Sequence, residues 1–207
     1  AGAEVITANT YSTARHVLES VNLGHEAKGL NFKSVQIAKQ ARDNAADGEV
    51  WIAGSMSSMP PLQGDHQAVL DEHARASYQE LAEVLAEAGV DLIIAEMMRD
   101  IENATMVIEA AVSTGLPVWI GYSTMMAEDG IDVKSLRWKD TDHADTTHDF
   151  STLVKTLSPL GGQAAGIMHT RVGDIEPALA VLGKHWSGPK LAYAETGKSI
   201  PPEWSFE

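Results

Sequence analysis

The sequence predicts a parallel α/β fold. Three observations predict it. Short apolar segments alternate with longer amphipathic ones along the whole chain. Some apolar segments run on without alternation, as in Leu92-Ile93-Ile94-Ala95, which suits a strand covered on both faces. Each apolar segment also turns polar at its carboxyl end, where parallel sheets carry their sites.

The elements follow in order. The first strand is Glu4 to Asn9, with a polar turn at Thr10-Tyr11-Ser12 and a helical stretch from Thr13 to Ser20. A second helix runs from near Gly24 to about Ala46, where Asp47-Gly48 stops it. Val50 to Ser55 is the next strand, followed by a Ser-, Met- and Pro-rich loop from Met56 to Gly64. The long helix from about Gln67 to Ala88 carries Tyr78, Leu81, Val84 and Leu85 at the spacing of one buried face, and Gly89 fits its C-terminal cap. Val90 to Glu96 is a strand, Asp100 to Ser113 a helix ending at Thr114-Gly115, and Pro117 to Ser123 a strand. Met125 to His148 is polar and acidic, an excursion over the mouth of the sheet. A helix from Phe150 to Leu157, the strand Ala164 to His169, a helix from Asp174 to His185 and the strand Leu191 to Glu195 complete the series, and Gly197 to Glu207 reads as irregular. Six strands in this order fit an open doubly wound sheet or six consecutive steps of an eight-step barrel, and periodicity does not choose between them.

Composition narrows the function classes. The chain has 207 residues, 44% hydrophobic and 21% charged, enough for one domain with its own core. Its 29 acidic and 15 basic side chains give a formal charge of -14, the wrong sign for a nucleic-acid backbone or an anionic membrane surface. No run approaches the ~18 apolar residues of a membrane-spanning helix. Ala1 to Thr10 lacks the plan of a signal peptide, so a cytoplasmic protein is expected. There is no cysteine, so no disulfide or thiolate metal site forms within this chain.

The polar residues at the strand ends are the candidate site: Asn9 and Thr10, Ser55, Glu96, Tyr122 and Ser123, His169 and Thr170, Glu195 and Thr196. Any one of them can also be an ordinary loop or helix cap. Glu96 stands out because an apolar run precedes it, which sets a carboxylate in a low-dielectric wall. Such a group needs a cation or donors to stay ionised. A substrate ammonium would serve, and so would an internal pair with Arg99. His169 closes an apolar strand, where an imidazole can act as metal ligand or general base. His143 and His148, near Asp142, Asp145 and Asp149, read as a solvated loop more readily than as a cation site. Met56, Met59, Met97, Met98, Met125 and Met126 cluster at strand ends, either as pocket lining for a thioether or as plain gap fillers. There is no Gly-rich phosphate loop and no G-x-S-x-G elbow; Gly161-Gly162 reads as a turn between helix and strand.

At these residues the chain resembles the homocysteine S-methyltransferase family. Ala1 to Tyr11 matches its pattern GA(D/E)-apolar-apolar-T-x-(N/D)-T-(Y/F). Ala53-Gly54-Ser55 with Pro60, Asp91 to Glu96 and Pro117 to Ile120 are similar to its third, fourth and fifth strands. Gly166 to Thr170 falls where the family has G-(I/V)-N-C-(T/S), and Tyr193 to Trp204 is similar to the segment after its seventh strand.

The resemblance implies a TIM (β/α)₈ barrel of which residues 1–207 hold strands two to seven, a single domain incomplete at both ends. It implies an S-methyltransferase that moves a methyl group to the zinc-activated thiol of homocysteine, giving methionine. By position, Glu96 matches the residue that holds the substrate amino group. Asn9 and Ser55 match mouth positions that bind substrate. His169 matches the first zinc ligand. Two departures stand out. The family's ligand here is Cys where this chain has His169, and two further Cys ligands would lie beyond Glu207. The implied partners are a small thiol and a methyl donor, with a homo-oligomer possible. The alternative reading is a non-catalytic barrel that binds an amino acid or thioether. A hydrolase with a hard metal ranks last, since its usual paired histidines are missing.

Overall fold

The computed structural model describes residues 2–59, 72–136, 147–195, 198–200 and 203–205, with side chains described up to residue 195. Six parallel strands form one sheet: β1 (Val5–Ala8), β2 (Trp51–Ser57), β3 (Leu92–Met98), β4 (Val118–Met126), β6 (Ala164–Arg171) and β7 (Lys190–Glu195). The short β5 (Val133–Ser135) pairs antiparallel with the end of β4. The helices are α1 (Arg15–Glu19), α2 (Ala27–Ala45), α3 (Glu72–Ala88), α4 (Ile101–Ser113), α5 (Phe150–Leu157) and α6 (Val172–Leu182).

Strand order settles what periodicity left open. The order is β1-β2-β3-β4-β6-β7, monotonic and without a reversal. Crossovers are right-handed, so a monotonic order puts every helix on the same face and the sheet curls away from them. A doubly wound sheet would reverse its order to cover both faces. The chain is therefore a curled half-barrel of the (β/α)₈ type, with helices outside and a concave face inside.

Two side-chain layers follow from the period-2 alternation of the strands. Toward the helices, Ile52, Met56, Ile93, Ala95, Ile120, Tyr122, Ala165 and Ile167 join the main core with Tyr78, Leu85, Val107, Phe150 and Leu153. Gly54 belongs to this face, for a Cβ there would meet Leu85 Cδ1 at 3.0 Å. Toward the concave side lies a much smaller apolar group, Ala53, Leu92 and Ile94 with Val5 and Trp119.

Local signals hold the helices in place. Asp100 caps α4 by accepting from the Asn103 amide at 2.7 Å, and Asp149 caps α5 from the Thr152 amide at 3.0 Å. Gly89 and Gly115 follow α3 and α4 with φ of 76° and 75°, the left-handed backbone that ends a helix.

Several boundaries differ from the sequence reading. The excursion after β4 begins as a hairpin, because β4 runs on to Met126 and β5 folds back on it. His169 does not close its strand; β6 continues to Arg171 and α6 starts at once at Val172. The terminal segment, read as irregular, contains an antiparallel pair, β8 (Lys198–Ile200) with β9 (Glu203–Ser205). Residues 60–71 and 137–146 lie outside the described residues. With them go the start expected for the long helix, near Gln67, and the greater part of the His143 cluster.

Candidate active site at the carboxyl ends of the strands

The mouth is built by two devices. The first is a threonine clamp that occurs twice. Thr10, just after β1, donates its hydroxyl to Ser55 O at 2.8 Å and accepts from Ser55 N at 3.0 Å. Thr170 on β6 donates to Thr124 O at 3.2 Å or to Met168 O at 2.8 Å, and accepts from Thr124 N at 3.0 Å. A hydroxyl both donates and accepts, so each threonine fills the last rung between neighbouring strands. Both are buried, while Asn9 and His169, the residues before them, are exposed.

The second device is a strand-end bulge, also used twice. The β3–β4 register shifts between Ala95 and Met98, and the β6–β7 register between Met168 and Arg171. Within the two shifts Met97 and His169 have φ of 60° and 43°, left-handed values that cost energy in residues other than glycine. A bulge re-aims the side chains around it. Here Glu96 follows Leu92 and Ile94 onto the concave face by alternation, level with Ser57. The shift after it turns Met98 to the covered core, and His169 lies exposed within the second shift.

Glu96 and His169 meet through a third residue. Tyr193 on β7 donates its hydroxyl toward Glu96 Oε1 at 3.5 Å, and the same hydroxyl lies 3.4 Å from Met168 Sδ. Its ring stands edge-on to His169, with centroids 6.3 Å apart. Met168 Sδ also accepts from the Met97 amide at 2.9 Å. Burial, then the charge and hydrogen bond of Glu96, push the Tyr193 phenol above its usual 10, so it stays a donor at neutral pH. No described side chain forms an ion pair with Glu96. Arg99, the internal partner considered for it, has Asp100 as its attractive charge neighbour. Burial lowers the pKa of the Arg99 guanidinium and raises that of the Asp100 carboxyl.

The remaining expected residues sort by face. Ser55 is on the concave face, abreast of Ile94, and its buried Oγ has no hydrogen-bond partner among the described residues. Ser57 is the residue level with Glu96. Ser123, abreast of Met168, likewise has a buried hydroxyl without a partner. Tyr122 turns the other way, edge-on to Phe150 in the core, where burial pushes its pKa up to about 12. Met56 and Met98 are fully buried on the helix side, which is the gap-filling role. Met168, absent from the methionines singled out in the sequence, is the one that joins the site.

Tyr193 is absent from the candidate residues read from the sequence, whereas Thr10 and Thr170 are among them without their clamping of the neighbouring strand. A signal existed for Tyr193: Leu191, Tyr193 and Glu195 alternate, so a tyrosine shares the face of a strand-end carboxylate. No comparable signal marks Met168 or the bulges. At the opposite end of the strands a groove of about 920 Å³ is lined by Glu4, Arg42, Trp51 and Trp119, which leaves Trp51 44% exposed. It lies away from the polar strand ends.

A metal ion is implied by the resemblance. His169 can offer an imidazole from an exposed position. Among the described residues, however, no three His, Cys, Asp or Glu side chains converge, and the sequence has no cysteine. The described residues thus bring no three such donors together.

A half-barrel with polar residues at its strand ends has the layout of a (β/α)₈-type scaffold. The chain belongs to the homocysteine S-methyltransferase family, whose model matches residues 1–203. It is 28% identical over 122 residues to betaine–homocysteine S-methyltransferase 1 of Danio rerio, a match covering 57% of this chain and 28% of that protein. Its fold is similar to the apo homocysteine methyltransferase MmuM of Escherichia coli, with a TM-score of 0.63 and 20% identity. That likeness covers 93% of this chain and 66% of the other, so the chain spans less than two thirds of either relative. No described helix is long and apolar enough to cross a membrane.

Proposed function

We propose that the protein containing these residues transfers a methyl group to the thiol of homocysteine, giving methionine. The observation that carries this reading is Glu96. It is a carboxylate on the concave face, in line with Leu92 and Ile94, met by a neutral phenol and paired with no described cation. An α-ammonium group supplies the missing charge. Exposed Asn9 and the Ser55 hydroxyl, which has no partner among the described residues, complete the proposed amino-acid subsite.

In the reaction the thiol sulfur forms a new bond to the methyl carbon. The donor leaves with the electrons of the bond it loses, and the thiol proton passes to solvent. The residues described here bind and orient the amino acid so that its sulfur faces the donor. The proposal includes His169 as the one zinc ligand from this chain, with the other ligands and the two strands that close the barrel outside residues 1–207. It also places the enzyme in the cytoplasm as a single barrel domain. Family membership and the placement of Glu96 and His169 on one tyrosine support it.

The test is turnover. Purified full-length protein is supplied with homocysteine and, in turn, S-methylmethionine, S-adenosylmethionine and a betaine, and methionine is measured together with bound metal. One zinc and methionine formation, both lost in His169→Ala, are expected. The second reading is a barrel that binds an amino acid or thioether without chemistry, favoured by the absence of a three-donor cluster among the described residues. Amino-acid binding without metal or methionine would select it.

A further inference from the structure

We infer that Tyr193 is a positioning residue for the amino-acid substrate: its hydroxyl fixes the Glu96 carboxylate through one oxygen and leaves the other for the substrate ammonium. The inference rests on the reading of Glu96 given above. Tyr193 is on β7 and Glu96 on β3, with β4 and β6 between them, yet the hydroxyl reaches Oε1 at 3.5 Å. A phenol has one proton and two candidate acceptors here, the carboxylate and Met168 Sδ at 3.4 Å. The charged oxygen is the stronger acceptor. The sulfur already receives the Met97 amide at 2.9 Å. Met168 therefore acts as a strut that holds the phenol level with Glu96.

The strut has its own seat. A Cβ at Gly121 would meet Met168 Sδ at 2.5 Å and Cε at 2.9 Å, so glycine on β4 clears the space that the thioether fills. Glycine, thioether, phenol and carboxylate thus form one chain of contacts across four strands. Its effect is to remove rotamer freedom from a glutamate before substrate arrives, which strengthens binding without adding a contact. Tyr193 is 43% exposed, so removing its oxygen opens no cavity in the core.

The experiment uses Tyr193→Phe in the full-length protein, with L-homocysteine and 4-mercaptobutanoate, the same thiol acid without the amino group, as ligands. Calorimetric Kd values are measured for both, alongside kcat and KM. The expected result is about tenfold weaker homocysteine binding and a matching rise in KM. The kcat, the melting temperature and the affinity for 4-mercaptobutanoate stay near wild type. Equal weakening of both ligands, or none, overturns the role of Tyr193. Glu96→Gln keeps the two failures apart. If it weakens homocysteine selectively and Tyr193→Phe does not, only Tyr193 is wrong. If Glu96→Gln itself leaves homocysteine binding intact, the ammonium reading of Glu96 falls, and Tyr193 falls with it.

Discussion

On the helix-covered face of the sheet, Ile52, Ile93, Ile120 and Ile167 are fully buried against α-helical side chains. On the concave face of the same strands, the hydroxyls of Ser55 and Ser123 are buried without a described partner, and a glutamate meets a neutral phenol. The Tyr78 hydroxyl on the covered side also lacks a described partner, so what separates the faces is the apolar surface they bury, large under the helices and small on the concave side. The comparison teaches that the fold is held from one side and its chemistry is carried on the other. A parallel strand allows this because alternate residues answer to different neighbours.

That division can be broken most directly from the covered side. Tyr122→Ala removes a ring fully buried edge-on to Phe150, with centroids 5.5 Å apart. A loss of about 3–5 kcal/mol in urea unfolding is expected. A loss below about 1 kcal/mol would mean that the covered face is not the main source of stability. From the concave side, Glu96→Gln is expected to weaken homocysteine binding by about thirtyfold, with little change in melting temperature. A large thermal shift would instead make Glu96 a structural residue and blur the two faces.

The smallest effect sharpens the boundary between them. Thr10→Val and Thr170→Val each delete a hydroxyl that serves two backbone groups of the neighbouring strand, at Ser55 and Thr124. Each is expected to cost about 1–3 kcal/mol. Amide exchange at Ser55 or Thr124 should rise at the same time, because its acceptor is gone. Unchanged exchange would show that the last rung is held by something other than the clamp.

Much of the fold was legible because it is local. The strands and helices are legible through apolar runs and through the stop signals Asp47-Gly48, Gly89 and Thr114-Gly115, all of which act within a few positions of themselves. Glu96 was legible for a similar reason: a charge after four apolar residues reports its surroundings. The hairpin of β4 and β5 was not, since Met125 and Met126 give no turn signal of the usual kind and their partners Lys134 and Val133 lie across a polar stretch. His169 was placed at the end of its strand because His, Thr and Arg look like loop residues. The clamp at Thr170 carries the strand on to Arg171.

The sequence by itself determined the order of strands and helices, the polar strand ends and, through its motifs, the family. Tertiary structure alone decided three things: the monotonic strand order that curls the sheet, the bulges that turn Met97 and His169 left-handed, and the meeting of Tyr193 with Glu96. The physical reason is range. Hydrophobic period and capping act over one or two turns of chain, whereas Tyr193 and Glu96 are 97 positions apart and meet only once four strands lie side by side.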